Sequence, residues 1–246
     1  MIELSAWAWA ALGLAAVITG ISKSAIPGGS TLAVVLFTAV LPARTSTAAM
    51  LLLFMVGDVF ALIAYRRHAH WPTLIRLAPA VIAGLLVGFA FLAFADDAIV
   101  RRAVGGILLL MIAVTLWRRH RQSTADAVAS GVLLSTTYGT LGGFTTMVAN
   151  AGGPVMAMYF LATRTPVQVF LGTSAWFFAI INLVKVPFLA GLGLIDAQVL
   201  LMDLVLAPLV VISALVGLRI ARRIPQQLFD RIVIALTVVG AVYLLI

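Results

Sequence analysis

Lys185 lies in the apolar run GTSAWFFAIINLVKVPFLA, three residues after Asn182 and two before Pro187. A spacing of three puts Asn182 and Lys185 on one helical face. An ammonium inside a membrane span costs about 2.5–3.5 kcal/mol on insertion scales, which makes it a functional candidate by default. The competing reading is snorkelling, because Lys185 stands close to the outer end of its run; Pro187 would loosen the helix there and admit water. Thr173 precedes Asn182 by about 2.5 helical turns and so belongs to the opposite face, suited to helix contacts or to another part of a cavity.

Two glycine breaks interrupt the apolar sequence: Gly28-Gly29-Ser30-Thr31 within IPGGST, and Gly152-Gly153-Pro154 directly after Asn150 and Ala151 in NAGGPV. Each reads as the start of a helix inside the membrane. Proline suits a first helical turn, where its missing N–H would be unpaired anyway. Small residues before it leave backbone N–H groups at the positive end of the helix dipole, a ready anion site. Glycines that only permit close helix packing are the bland alternative. Recurrence of the break at matched positions favours a paired site. Asp58, in LLLFMVGDVFALIAY, has three candidate roles: a partner for Lys185, a proton or sodium site, or a polar clamp. A carboxylate beside an anion repels it unless paired or protonated, so Asp58 is assigned to coupling or gating. Lys23, just before the first break, either draws anions to the mouth of the site or sets topology.

The elements that must carry these residues are membrane helices. The chain has 246 residues, 63% hydrophobic and only 10% charged, with a mean hydropathy of +1.18. Soluble domains are about 25% charged. A spanning helix takes about 20 apolar residues, so the length accommodates roughly eight to ten spans and little else. Apolar runs fall at about 5–21, 25–41, 46–65, 74–95 and 100–117, and again at 127–145, 147–162, 168–190, 198–218 and 228–246. The net charge of +8 is no nucleic-acid signal, because the basic residues cluster between these runs, as in Arg66-Arg67-His68 and Arg118-Arg119-His120-Arg121. The amino-terminal MIELSAWAW lacks the basic region of a cleavable signal, so the first run is expected to be retained. Trp7, Trp9, Trp71 and Trp117 read as interfacial anchors.

The two series look like copies, residues 1–121 and 122–246, with about five membrane segments each. An offset of 124 pairs Gly28-Gly29-Ser30 with Gly152-Gly153-Pro154, Pro42 with Pro166 and Asp58 with Asn182. After a five-residue slip, Gly88 falls on Gly217 and Arg102 on Arg231. Five segments per half, with the N-terminus outside, put Lys23, Arg66, Arg67, Arg76, Arg118, Arg119, Arg121, Arg164, Arg219, Arg222, Arg223 and Arg231 in the cytoplasm. Only Arg44, Arg101 and Arg102 remain outside. Four parallel crossings per half leave no such bias. The expected fold is therefore an all-α integral membrane bundle of two inverted repeats within one transmembrane domain, each half with a broken or re-entrant glycine segment.

Cysteine is absent, which excludes disulfides and thiolate metal sites. The histidines, His68, His70 and His120, sit in basic connections, and His-x-His without a third ligand is a weak metal pattern. No HExxH, P-loop or GxSxG occurs, so no catalytic residue, metal or cofactor is assigned.

On GISKSAIPGGSTL at 20–32, GDVFALIAYRRHAHW at 57–71 with Pro79 and Gly84, AGGP at 151–154 and GTSAWFFAIINLVKVP at 172–187, the chain resembles the sulfite exporter TauE/SafE family, also called the toluene sulfonate uptake permeases. The resemblance covers nearly all of the chain. It implies a multi-pass carrier of the bacterial cytoplasmic membrane for sulfite, sulfonates or related organosulfur anions, working as an exporter. Asn150 stands where many relatives carry histidine, which touches substrate preference. The expectation is thus a non-enzymatic secondary transporter in a lipid bilayer, with a small anion as its partner and no nucleic acid. Proton or sodium coupling and a homodimer are left open. The alternatives are an ion-coupled importer of a small carboxylate or other organic anion, an intramembrane enzyme, and a structural membrane protein.

Overall fold

The computed structural model describes residues 5–25, 29–96 and 131–221, with scattered positions at 98–113 and 225–235. Gly28, Trp117, His120 and the arginines at 101, 118, 119, 121, 222 and 223 lie outside the described residues.

Among the described residues every regular element is helical: α1 (Ala6–Ser24), α2 (Ser30–Val40), α3 (Ala43–Tyr65), α4 (Trp71–Phe94), α5 (Gly131–Ala149), α6 (Gly152–Ala162), α7 (Val167–Gly191) and α8 (Ala197–Ala221). A short 3-10 turn, Arg66–His68, joins α3 to α4. Five of these, α1, α3, α4, α7 and α8, are long and apolar enough to cross a membrane. Helices α2 and α6 have 11 residues each, about 16 Å at 1.5 Å per residue, well short of the ~30 Å hydrocarbon core.

Local chemistry sets the boundaries. Pro42 and Pro166 precede α3 and α7 in nearly the same extended conformation, with ψ of 143° and 145°. Pro72 lies in the first turn of α4, where no N–H is needed. Asn150 ends α5 at φ 52°, a left-handed conformation that asparagine tolerates better than most residues. Its N–H donates to Thr146 O and that of Ala151 to Thr145 O, which closes the helix before α6 begins.

Helix pairing is dominated by α4 on α5 and α1 on α8. Both crossings run parallel, and both rest on glycine. A β-carbon at Gly143 would lie 2.2 Å from Val81 O and 3.0 Å from Leu85 N; one at Gly20 would lie 2.4 Å from Val210 O and 2.8 Å from Ala214 N. Any side chain there would force the helices apart. Between these layers α3 packs on α7 in antiparallel fashion, with Tyr65 and His68 near Gly172 and Asp58 at Asn182. Helix α6 is buried from Gly152 to Leu161. On the outside, Ile63, Ile75, Val132 and Leu204 are each about two-thirds exposed or more, a contiguous apolar exterior that suits lipid rather than water. The chain is a multi-pass helical membrane protein.

Candidate functional site

The centre of the bundle holds a narrow crevice where α1, α2, α3, α5, α6 and α7 converge. Lys23, Ser30, Asp58, Asn150, Gly153 and Ser174 belong to its polar lining, and Phe54 and Phe178 stand beside Lys23. Its space for water centres is about 20 Å³, sufficient for one or two waters.

Lys23, at the end of α1, places Nζ 2.8 Å from Asp58 Oδ1 on α3, with the two side chains 8% and 4% exposed. The same ammonium faces the rings of Phe54 at 4.5 Å and Phe178 at 4.7 Å. The second carboxylate oxygen of Asp58 accepts a hydrogen bond from Asn182 Nδ2 at 2.6 Å. Among the described residues, Asn182 Oδ1 is buried without a donor and the hydroxyl of Ser174 is buried without a partner.

Lys185 is fully buried. It turns into the bundle and donates to Asn150 Oδ1 rather than reaching for the membrane surface. Asn150 in turn donates through Nδ2 to Thr47 O at 2.7 Å, and Thr47 Oγ1 donates to Val148 O at 3.1 Å. The left-handed turn between α5 and α6 is thereby tied to α3 and α7 at once. Among the described residues Lys185 has no carboxylate in contact: the ion pair joins Asp58 to Lys23, and the neutral amide of Asn150 is the partner of Lys185.

The two short helices begin beside this crevice. Gly29 precedes α2 and Ala151 precedes α6, and neither N-terminus has a side-chain cap. Ser30 and Gly153 line the crevice, so two positive helix ends face one space. Thr31 is in the first turn of α2. Gly152 packs behind, where a β-carbon would lie 2.6 Å from Thr146 Cβ. Thr173 is elsewhere: its hydroxyl accepts from the backbone N–H of His70 at 2.9 Å, next to Gly172, whose missing side chain lets α7 press on the 66–69 turn. Thr173 thus secures the connection between α3 and α4.

Sequence reading passed over Asp203 on α8. It is 5% exposed, and both carboxylate oxygens lack a hydrogen-bond partner among the described residues. A single acid in the run QVLLMDLVLAP was the available signal. Among the described residues no cluster of three His, Cys, Asp or Glu side chains could hold a metal ion.

The family model described as sulfite exporter TauE/SafE matches residues 12–244. No curated protein and no solved structure matches the chain. The match spans nearly the whole chain, which therefore belongs to the TauE/SafE family of membrane transporters.

Proposed function

We propose that this TauE/SafE transporter is a secondary carrier of a small oxyanion, sulfite, a sulfonate or a related organosulfur anion, bound in the central crevice. The observation that carries this reading is the convergence of two uncapped helix N-termini, at Ser30 and Gly153, on a space that also holds Lys23 and the amide bonded to Lys185. Backbone N–H groups at such ends bind anions without a dedicated side chain.

Alternating access of two inverted halves is the proposed mechanism. Several relationships support it. Helices α2 and α6 have 11 residues each. Gly20 meets Val210 and Ala214 on α8 as Gly143 meets Val81 and Leu85 on α4. Gly88 lies against Met147 and Phe144, and Gly217 against Ser24 and Ile21. Helices α3 and α7, which begin after Pro42 and Pro166, run antiparallel. Each short helix then closes a re-entrant hairpin with the helix before it, α2 with α1 and α6 with α5, which has the parity of two crossings and so keeps the halves inverted. The proposed location is the bacterial cytoplasmic membrane.

An uncoupled anion is driven out of a cell by about 2.3 kcal/mol per charge per 100 mV, so export is the direction for a carrier of this kind without coupling. A second reading, an ion-coupled carrier, is favoured by one observation, the Lys23–Asp58 contact.

The test is thermal unfolding of the purified protein with sulfite, sulfate, thiosulfate, methanesulfonate, lactate and malonate. A substrate at about 100 times its Kd stabilises by about 2.7 kcal/mol. The expected result is a rise with sulfite or methanesulfonate that is lost in Lys185→Ala. No rise with any anion overturns the carrier reading. A rise that survives both Lys185→Ala and Asn182→Ala overturns the site.

A further inference from the structure

The ammonium of Lys23 is already occupied. One side meets the Asp58 carboxylate at 2.8 Å, and two aromatic faces stand at 4.5 and 4.7 Å. Asp58 is therefore a built-in anion within the crevice meant for a free one. A second negative charge in this space raises the cost of keeping Asp58 ionised, and a proton on Asp58 removes that cost. The charged or titratable groups on α3 and on the elements packed around it are Arg44, Asp58 and Tyr65 on α3, Lys23 on α1, Tyr138 on α5, Lys185 on α7, Asp203 and Arg219 on α8, and Arg66, Arg67 and His68 in the adjoining turn; α2 carries none. Of the carboxylates in this set, Asp58 alone lines the crevice.

A neutral Asp58 would need an acceptor for its new O–H, and one is in place. Asn182 Oδ1 is buried without a donor among the described residues, on the same amide whose Nδ2 touches Asp58 Oδ2 at 2.6 Å. Rotation of that amide by half a turn exchanges donor for acceptor without moving a helix. We propose that Asp58 is the proton site of this carrier: binding of a monovalent oxyanion in the crevice draws one proton from the adjoining water onto the Asp58 carboxylate. The neutral carboxyl then donates to Asn182 Oδ1 and releases Lys23 to the anion.

This inference rests on the anion-carrier reading and adds the co-substrate. Charge balances at each stage, because one anion and one proton enter together and Lys23 stays an ammonium. A monoanion carried in this way moves no net charge. The membrane potential then has no hold on the loaded carrier, and flow follows the product of the anion and proton gradients.

The experiment uses methanesulfonate, which stays singly charged throughout the range, on the purified full chain between about pH 5.5 and pH 8. Proton uptake on binding is read in weak buffer with an indicator dye. The expected result is about one proton taken up per anion bound, with affinity falling up to about tenfold per pH unit towards the alkaline end. Asp58→Asn is expected to lose the uptake, so that whatever affinity it retains no longer varies with pH; the wild-type measurement stands alone if that variant does not fold. Binding without proton uptake overturns the proton site and leaves the anion site standing. Uptake that persists in Asp58→Asn overturns it in favour of another group. No binding of methanesulfonate, sulfite or thiosulfate overturns the carrier reading and this inference together.

Discussion

Asn182 donates to Asp58 at 2.6 Å, and the two residues are 124 positions apart, the offset at which the two halves of the chain align. Under the proposed repeat these are equivalent positions on α3 and α7, and they touch where the two antiparallel helices cross. One half supplies a carboxylate there and the other its neutral amide counterpart, so the contact is a hydrogen bond where two acids would repel.

That arrangement makes the Lys23–Asp58 pair costly to break from one side. Lys23→Met and Asp58→Leu are each expected to destabilise the protein by about 3–5 kcal/mol, because each leaves a buried charge without a partner. The double variant is expected to be more stable than either single one. Thermal unfolding of the three variants in one detergent checks this, and additive losses would show that the pair is not coupled.

Asp203 invites the opposite outcome. A buried carboxylate without a partner among the described residues is a burden on the fold, so Asp203→Leu is expected to stabilise by about 1–3 kcal/mol. A lower unfolding temperature would mean that the carboxylate is held by groups beyond the described residues.

The glycine crossings predict a sharp contrast. Gly143→Ala, whose new methyl would lie 2.2 Å from Val81 O, is expected to cost about 1–3 kcal/mol through overpacking. Gly191→Ala, at the end of α7 with nothing within 4 Å, is expected to be neutral or to stabilise by up to about 1 kcal/mol. Unfolding temperatures of the two variants decide it.

Topology is open to cysteine labelling, since the chain has no native cysteine. His70 and Ala197 are both exposed, at the start of α4 and of α8. Ala197 serves better than Gly193, whose φ of +68° would strain any side chain. In cells, His70→Cys is expected to be shielded from an impermeant maleimide and Ala197→Cys to react with it. Labelling of both from outside contradicts the inverted arrangement.

Much of the site was legible in the sequence because polar groups in apolar runs are rare enough to stand out. Lys185, Asn182 and Asp58 were visible on that ground, and the offset of 124 paired Pro42 with Pro166, which stand directly before α3 and α7. The pairing among them was less legible. Asp58 was assigned three roles, Lys185 among its candidate partners, because helical spacing orders residues only along one helix. Which lysine reaches the carboxylate depends on how α1, α3 and α7 cross, and those crossings are set by glycine contacts between distant segments. Asn150 carried a readable sign, an asparagine directly before a glycine break, whose left-handed turn closes α5. Asp203 was passed over because nothing in its neighbourhood repeats or breaks.

The two parallel glycine crossings have a consequence for how the protein is made. Helix α1 finds its main partner in α8, and α4 finds its own in α5. Each half therefore completes the other, and neither is a finished folding unit when it leaves the ribosome. During synthesis α1 must wait in the lipid, its glycine-lined face uncovered, until almost two hundred further residues have been threaded in. The assembly is a clasp whose late fastening joins an early helix to a much later one.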